Sequence, residues 1–159
     1  MRLLAVFALI AAIVAVPARA APPQAKVLVR STTVGEVLVD ARGRTLYLRT
    51  IDASRKSTCY GSCAAAWPPF VTSAKPRAGS GVKQALLGMA KRKDGTLQVT
   101  YAGHPLYFFG QDTRAGQISG QATAGTWWVL GASGKKITKT STPAGTMTGP
   151  SGGYGGYGP

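Results

Sequence analysis

Residues 36–49 read EVLVDARGRTLYLR, and residues 96–109 read TLQVTYAGHPLYFF. In each stretch an apolar run leads through a short link with one glycine, Gly43 or Gly103, into a second apolar or aromatic run. This pattern is typical of a β-hairpin, in which the glycine supplies the positive φ of the turn. The two stretches therefore predict two hairpins of one design.

The hairpins belong to an internal repeat with a period of 60 residues. The chain superimposes on itself at that spacing without a gap, and uncommon residue types recur in the same order, which chance explains poorly. The repeats span about residues 35–70 and about 95–130. The matched residues are Gly35 and Gly95, Val39 and Val99, Gly43 and Gly103, Leu46-Tyr47 and Leu106-Tyr107, Asp52 and Asp112, Ala64 and Ala124, and Trp67 and Trp127.

The repeat predicts the fold class. A single hairpin is not stable alone, whereas two repeats that pack their apolar faces together share one core. We therefore predict an all-β fold with a minor helix: a small antiparallel β domain built from two tandem hairpin-containing repeats with pseudo-two-fold symmetry. Further strands are expected near residues 26–29 and 127–130.

Two short segments have helical character. Residues 82–90, between the repeats, have helical propensity and are expected to form a helix or a loop. A short helical turn is expected at Ala64-Ala65-Ala66, with Ser57 or Thr58 as its cap.

The ends of the chain differ from the repeats. The first residues combine Arg2, an apolar run from Leu3 to Val16 and small residues at Ala18 and Ala20, as a secretory signal peptide does. The run is shorter than the about 20 residues that span a bilayer, and no cysteine stands directly after it as a site for lipid attachment. We therefore expect neither a lipid anchor nor a membrane segment after cleavage. The last residues are rich in glycine and proline and predict disorder. The predicted organisation is a signal peptide at 1–20, a two-repeat β domain at 21–139 and a Gly/Pro/Tyr-rich tail at 140–159.

The chain is strongly basic, with 19 lysines and arginines against 5 acids. Without Arg2 and Arg19 of the predicted signal peptide, 17 basic residues face the same 5 acids, a net charge of +12. Such a charge attracts polyanions, and for an exported protein these are anionic envelope polymers or lipid head groups. The alternative is that the positive charge only keeps the protein soluble. No nucleic-acid recognition module is present, so specific nucleic-acid binding is not expected.

Cys59 and Cys63 are the only cysteines of the chain. In an exported protein a disulfide between them is favoured by the oxidising compartment. The alternative is a dithiol that binds a metal or cycles its redox state, with His104, the only histidine, as a weak further ligand. No cofactor is expected, although a metal at these three residues stays open.

Six residues recur at matched positions and form the repeat motif. An Asp pair suggests a catalytic carboxylate pair, but both Asp residues are equally suited to accepting backbone hydrogen bonds where a strand enters a turn. The tryptophans are expected in the core or in a shared groove. With one histidine and five acids, general acid–base catalysis has few candidates, so no catalytic residue is assigned and a non-enzyme is favoured. The motif residues are Tyr47, Asp52, Trp67, Tyr107, Asp112 and Trp127.

These motifs resemble the bacterial secreted repeat of unknown function family, which is also described as predicted lipoproteins with a Tyr-x-aromatic-x-x-Asp motif. The resemblance covers about residues 35–130 and implies export and a two-repeat fold, but no established activity. The sequence departs from the motif at Arg49, where an aromatic residue is expected, while Phe109 fits it in the second copy.

The sequence thus favours an exported envelope or extracellular binding or scaffold protein, periplasmic or secreted. The alternative is a redox or metal-handling accessory protein that uses Cys59 and Cys63. The ligand and the oligomeric state are not indicated by the sequence.

Overall fold

The computed structural model describes residues 22–140, and in this part the regular secondary structure is mostly β-strand, joined by turns and loops. The predicted signal peptide and nearly all of the predicted tail lie outside the described residues. None of the helices within 22–140 is long and apolar enough to cross a membrane. The first repeat contains β1 (Lys26–Thr32), β2 (Gly35–Asp40), β3 (Tyr47–Arg49), α1 (Ser62–Ala66) and β4 (Val71–Thr72), and β5 (Arg77–Ala78) follows it. The second contains β6 (Leu87–Lys91), β7 (Leu97–Tyr101), β8 (His104–Pro105), a 3-10 turn (Thr123–Gly125) and β9 (Trp127–Val129). Each structural repeat begins one strand before its predicted start at about residue 35 or 95, because β1 pairs with β2 and β6 pairs with β7.

The repeats exchange their last strands. β4 of the first repeat pairs antiparallel with β7 of the second, and β9 of the second pairs antiparallel with β3 of the first. Between them, Tyr47 and Tyr107 exchange two backbone hydrogen bonds of 2.9 Å each, as residues on a two-fold axis do. The predicted all-β fold with two tandem repeats is confirmed, and neither repeat completes its sheet without the other.

The gap-free alignment of the two repeats at 60 residues is wrong by one residue within β2 and β7. β1 and β2 are joined by a two-residue turn between Thr32 and Gly35, whereas the link between β6 and β7 is longer. The next turn has the opposite difference in length. In the first repeat three residues separate Asp40 from its partner Arg44, whereas in the second only two separate Tyr101 from its partner His104.

As a consequence, Leu38 is equivalent to Val99, and Val39 is not. Leu38 N–H donates to Leu130 O and Val99 N–H donates to Phe70 O, each at the other repeat's last strand. Both side chains lie in one apolar cluster, while Val39 lies in the second. A shift of one residue turns every side chain of a strand to the opposite face.

The hairpins are shorter than predicted. The ladder between the two strands of each hairpin stops early, at the bridge from Thr45 to Val39 and at the pair of Pro105 with Thr100. Beyond it the return strands of the two hairpins pair with each other, at Tyr47 and Tyr107. The glycines behave as predicted, since Gly43 has a φ of +80° and Gly103 of +84°.

The helix considered at residues 82–90 does not form. A 3-10 turn at Gln84–Leu86 is followed directly by β6, because this segment is needed as the outer partner of β7. The short helix at Ser62–Ala66 is present, but its N-cap residue is Gly61 and no side chain caps it. The expected cap by Ser57 or Thr58 is therefore wrong, since both hydroxyls have partners elsewhere.

Candidate functional site

The motif tryptophans meet on the two-fold axis. The rings of Trp67 and Trp127 are stacked with centroids 3.9 Å apart and planes 1° apart. Tyr47 meets Trp67 edge-on at 5.3 Å, and Tyr107 meets Trp127 in the same way at 5.1 Å. All four side chains are buried. The repeat motif is thus the place where the two halves of the core are joined.

The motif Tyr and Asp residues are crossed between the repeats. The Tyr47 hydroxyl donates to Asp112 Oδ2 at 2.5 Å, and the Tyr107 hydroxyl donates to Asp52 Oδ2 at 2.5 Å. The other carboxylate oxygens accept backbone N–H groups, from Thr58 at 2.9 Å and from Ser119 at 3.0 Å. Each Asp therefore closes a turn in its own repeat and holds a tyrosine of the other. The recurrence of Tyr and Asp five residues apart indicates a shared role, but it does not indicate that the bonds cross between the repeats.

Burial raises the pKa of Tyr47 and of Tyr107 above the ordinary tyrosine range, and the bonded carboxylates of Asp112 and Asp52 raise each further. Folded tyrosines therefore keep protons that the unfolded chain releases above about pH 10. This contribution to stability is complete below pH 10 and is lost as the pH rises further.

We expect the free energy of unfolding to fall by about 1.4 kcal/mol per pH unit above pH 10 for each of the two tyrosines. Urea titrations over a series of alkaline pH values measure this slope. Tyr107→Phe should remove one tyrosine's share of this slope. An equal slope in the wild-type protein and in Tyr107→Phe would contradict the assignment.

The Tyr107–Asp52 pair is extended by a buried arginine. The Ser57 and Tyr107 hydroxyl oxygens lie 2.7 Å apart, and since Tyr107 gives its one proton to Asp52, Ser57 donates to Tyr107. Ser57 Oγ in turn accepts from Arg92 Nη1 at 2.9 Å. Arg92 is only 5 % exposed and also donates to Gln98 Oε1 at 2.7 Å. This role could not be predicted from the sequence, because Lys91-Arg92-Lys93 has the pattern of a solvated basic run.

The Tyr47–Asp112 pair instead borders an open cleft. This Asp112 cleft encloses about 210 Å³. Burial raises the pKa of Asp112, although the hydrogen bonds from Tyr47 and Ser119 lower it. One side chain in its wall, Thr45, is 1 % exposed and its Oγ1 has no hydrogen-bond partner within residues 22–140. The cleft is lined by Arg44, Thr45, Pro68, Phe108, Phe109, Gly110 and Asp112.

A basic groove runs beside this cleft, around the turn between β2 and β3. It consists of two adjoining clefts of about 290 and 300 Å³ that share Asp40, Ala41 and Arg42. Asp40 is buried and its charge is met by Arg44, at 2.8 Å. The Arg44 guanidinium lies 3.8 Å above the Phe108 ring, and these two residues line both the groove and the Asp112 cleft. The basic side chains of the groove are Lys26, Arg30, Arg42 and Arg44.

A family model described as secreted repeat of unknown function matches residues 28–71 and 88–131, together more than half of the chain. The chain belongs to this family. Each matched stretch contains one tyrosine, one Asp and one tryptophan of the repeat motif. Among secreted repeats, this chain therefore shows how two copies form one core, through exchanged strands and crossed Tyr–Asp bonds. No curated protein and no solved structure matches the chain.

In this secreted-repeat protein Cys59 and Cys63 lie at disulfide distance, with Cα atoms 5.3 Å apart. Cys59 is fully buried in the same apolar cluster as the motif tyrosines and tryptophans, while Cys63 is half-buried in α1. His104 lies in β8, paired with Tyr101. Within residues 22–140 no three His, Cys, Asp or Glu side chains are grouped as a metal site would require, so the structure does not bring Cys59, Cys63 and His104 together as ligands.

Replacing both cysteines by serine is expected to lower the free energy of unfolding by about 2 kcal/mol, because the bridge closes a loop of about five residues. The second repeat has Ser119 and Thr123 at these positions, so the fold itself should survive. Urea unfolding measures the loss, and reduction of the wild-type protein should reproduce it. A stoichiometric metal that disappears with the cysteines would instead support the dithiol hypothesis.

Proposed function

We propose that this secreted-repeat protein acts in the periplasm or outside the cell as a non-enzymatic binding or scaffold protein. Its basic surface would contact phosphate or carboxylate groups of envelope polymers or lipid head groups. The observation that carries the proposal is the excess of exposed basic side chains, four of which line the basic groove.

Four of the five acids are bonded within the protein. Asp40 is bonded to Arg44, Asp52 to Tyr107, Asp112 to Tyr47 and Asp94 to Thr96. The hydrogen bonds from Thr96 lower the pKa of Asp94. Nearly all lysines and arginines within residues 22–140 are exposed. The hydroxyl partners of Asp52, Asp94 and Asp112 are neutral and leave their charges in place, but 17 basic residues stand against the five acids. The field outside the protein is therefore positive, which favours encounter with polyanions.

The basic groove concentrates this charge. Lys26 and Arg42 are exposed at its edges, and the one acid in its wall, Asp40, is buried and neutralised. An anionic chain lying along the turn between β2 and β3 would meet positive side chains on both sides. Phosphate and carboxylate groups suit the fork of donors that arginine presents.

The test compares retention on phosphatidylglycerol vesicles, on phosphatidylcholine vesicles and on a purified anionic cell-wall polymer, at rising salt. We expect retention on the two anionic materials alone, and its loss as salt screens the charges. Arg42→Glu with Lys26→Glu should abolish it. Lys83→Glu with Lys135→Glu changes the net charge equally, but these residues do not line the groove, so retention should weaken less. Salt-independent retention, or equal loss in both variants, would contradict a groove-centred contact.

A further inference from the structure

We propose that the Asp112 cleft is a binding site for a single sugar ring. It would take one hydroxyl-rich unit of an envelope polysaccharide, in addition to the charge-based contact in the basic groove. The inference rests on the proposed function for the identity of the polymer, but not for the binding of the ring itself. Four features of the cleft lead to it.

The first feature is the chemistry of the walls. Phe108, Phe109 and Pro68 provide apolar surface, while Asp112 and Arg44 provide an acceptor and donors. Small-molecule sites have this composition, with mostly apolar lining and a few placed polar groups. Phe109 is held in place by the Trp67 ring at 4.4 Å, so the apolar wall is fixed before a ligand arrives. A sugar ring offers both an apolar face of C–H groups and a rim of hydroxyls.

The second feature is the Thr45 hydroxyl. A buried polar group without a partner costs stability, so each one needs a reason. The fold does not require this hydroxyl, because the equivalent position of the second repeat is Pro105, which pairs with Thr100 as Thr45 bridges Val39. A ligand hydroxyl in the Asp112 cleft would supply the missing partner.

The third feature is the carboxylate. An ionised carboxylate has about four acceptor positions. Tyr47 and the Ser119 N–H occupy two of those of Asp112, and this half-buried side chain lines the cleft, where a ligand would meet the remaining ones. Hydroxyl groups of a sugar are donors that fit these positions, whereas an anionic group would be repelled.

The fourth feature is the difference between the repeats. The residues equivalent to Pro68 and Phe109 are Trp128 and Arg49. Arg49 Nη1 donates to Thr58 Oγ1 at 3.2 Å and its guanidinium lies over the Trp127 ring, so it occupies the place that an aromatic wall has in the other half. The fold therefore tolerates both arrangements, and only the Asp112 side combines an aromatic wall with a free buried hydroxyl.

The size of the cleft limits the ligand. Sites that enclose drug-sized ligands have volumes of about 300–1,000 Å³. The volume of this cleft, about 210 Å³, is smaller, which favours one ring rather than an oligomer. Arg44 and Phe108 separate the cleft from the basic groove. A polymer in the groove would thus place one unit in the cleft as it passes Arg44.

The experiment is a titration of the full mature chain with glucose and with glucuronate, followed by the backbone amide shifts in NMR spectra. We expect saturable shifts at Thr45, Phe109, Gly110 and Asp112, with a Kd on the order of 1 mM for glucose. Thr45→Val should weaken binding on the order of tenfold, the contribution of one hydrogen bond, without lowering Tm. Asp112→Asn should weaken it too, while the matched variant Asp52→Asn should not.

Two results would overturn the inference: no shift at these amides with glucose, or shifts that Thr45→Val leaves unchanged. Binding of glucuronate alone that disappears with salt would also overturn it, as this is the behaviour of a simple charge contact. The same Thr45→Val protein should keep its salt-dependent retention on phosphatidylglycerol vesicles. Failure of the sugar site is thereby distinguished from failure of the basic groove.

Discussion

Trp67→Ala is expected to lower the free energy of unfolding by about 3–5 kcal/mol, the usual loss for a buried large aromatic side chain. The ring is 5 % exposed and contacts Trp127 face to face, Tyr47 edge-on and Phe109 at 4.4 Å. Such a loss is a large part of the 5–15 kcal/mol that typically separates folded from unfolded domains. Because the stack joins the repeats, both halves should unfold in one transition. Urea unfolding, followed by near-ultraviolet circular dichroism and by far-ultraviolet signal, measures both points.

The controls follow from the symmetry. Trp127→Ala should cost a similar amount, and the double variant should cost less than the sum, since each ring is the other's neighbour. Trp128→Ala removes a half-buried ring outside the stack and should cost clearly less. Additive losses, or separate transitions for two halves, would show that the repeats are independent units.

The repeat made the fold class and the central residues predictable. Glycines at Gly43 and Gly103 identify the turns, and the recurring Tyr, Asp and Trp identify the axis. What the sequence did not reveal is which repeat each Asp serves. Spacing within one copy is the same whether Tyr47 bonds to Asp52 or to Asp112, so only three-dimensional strand exchange decides it.

The register of β7 was unpredictable for a related reason. One turn in the second copy is a residue longer and the next a residue shorter, so the sequence matches on either side stay in phase. Thr45 could not be singled out either, because an unpartnered hydroxyl is a property of packing and not of a pattern. Ser57 was misread as a helix cap because its hydroxyl is locally suited to that role, while its partners are distant in sequence.

Arg92→Met is expected to cost about 3 kcal/mol or more, because it leaves buried acceptors without their donor. The guanidinium donates to Ser57 Oγ, to Gln98 Oε1 and, through Nη2 at 2.8 Å, to Cys59 O. It also lies 4.4 Å over the Tyr60 ring. Methionine keeps much of the length and apolar stem but none of these bonds. Urea unfolding at neutral pH measures the loss.

Lysine should not rescue the position, since a single ammonium cannot reproduce a planar fork that reaches three acceptors. Lys91→Met and Lys93→Met remove the same charge from exposed neighbours and should stay within about 0.5 kcal/mol of wild type. The comparison separates position from charge: equal small losses for all three variants would mean that the run is a solvated basic patch. A loss confined to residue 92 instead assigns Arg92 to the core, where it fixes the loop of Ser57 and Cys59 and, through Ser57, the Tyr107–Asp52 pair.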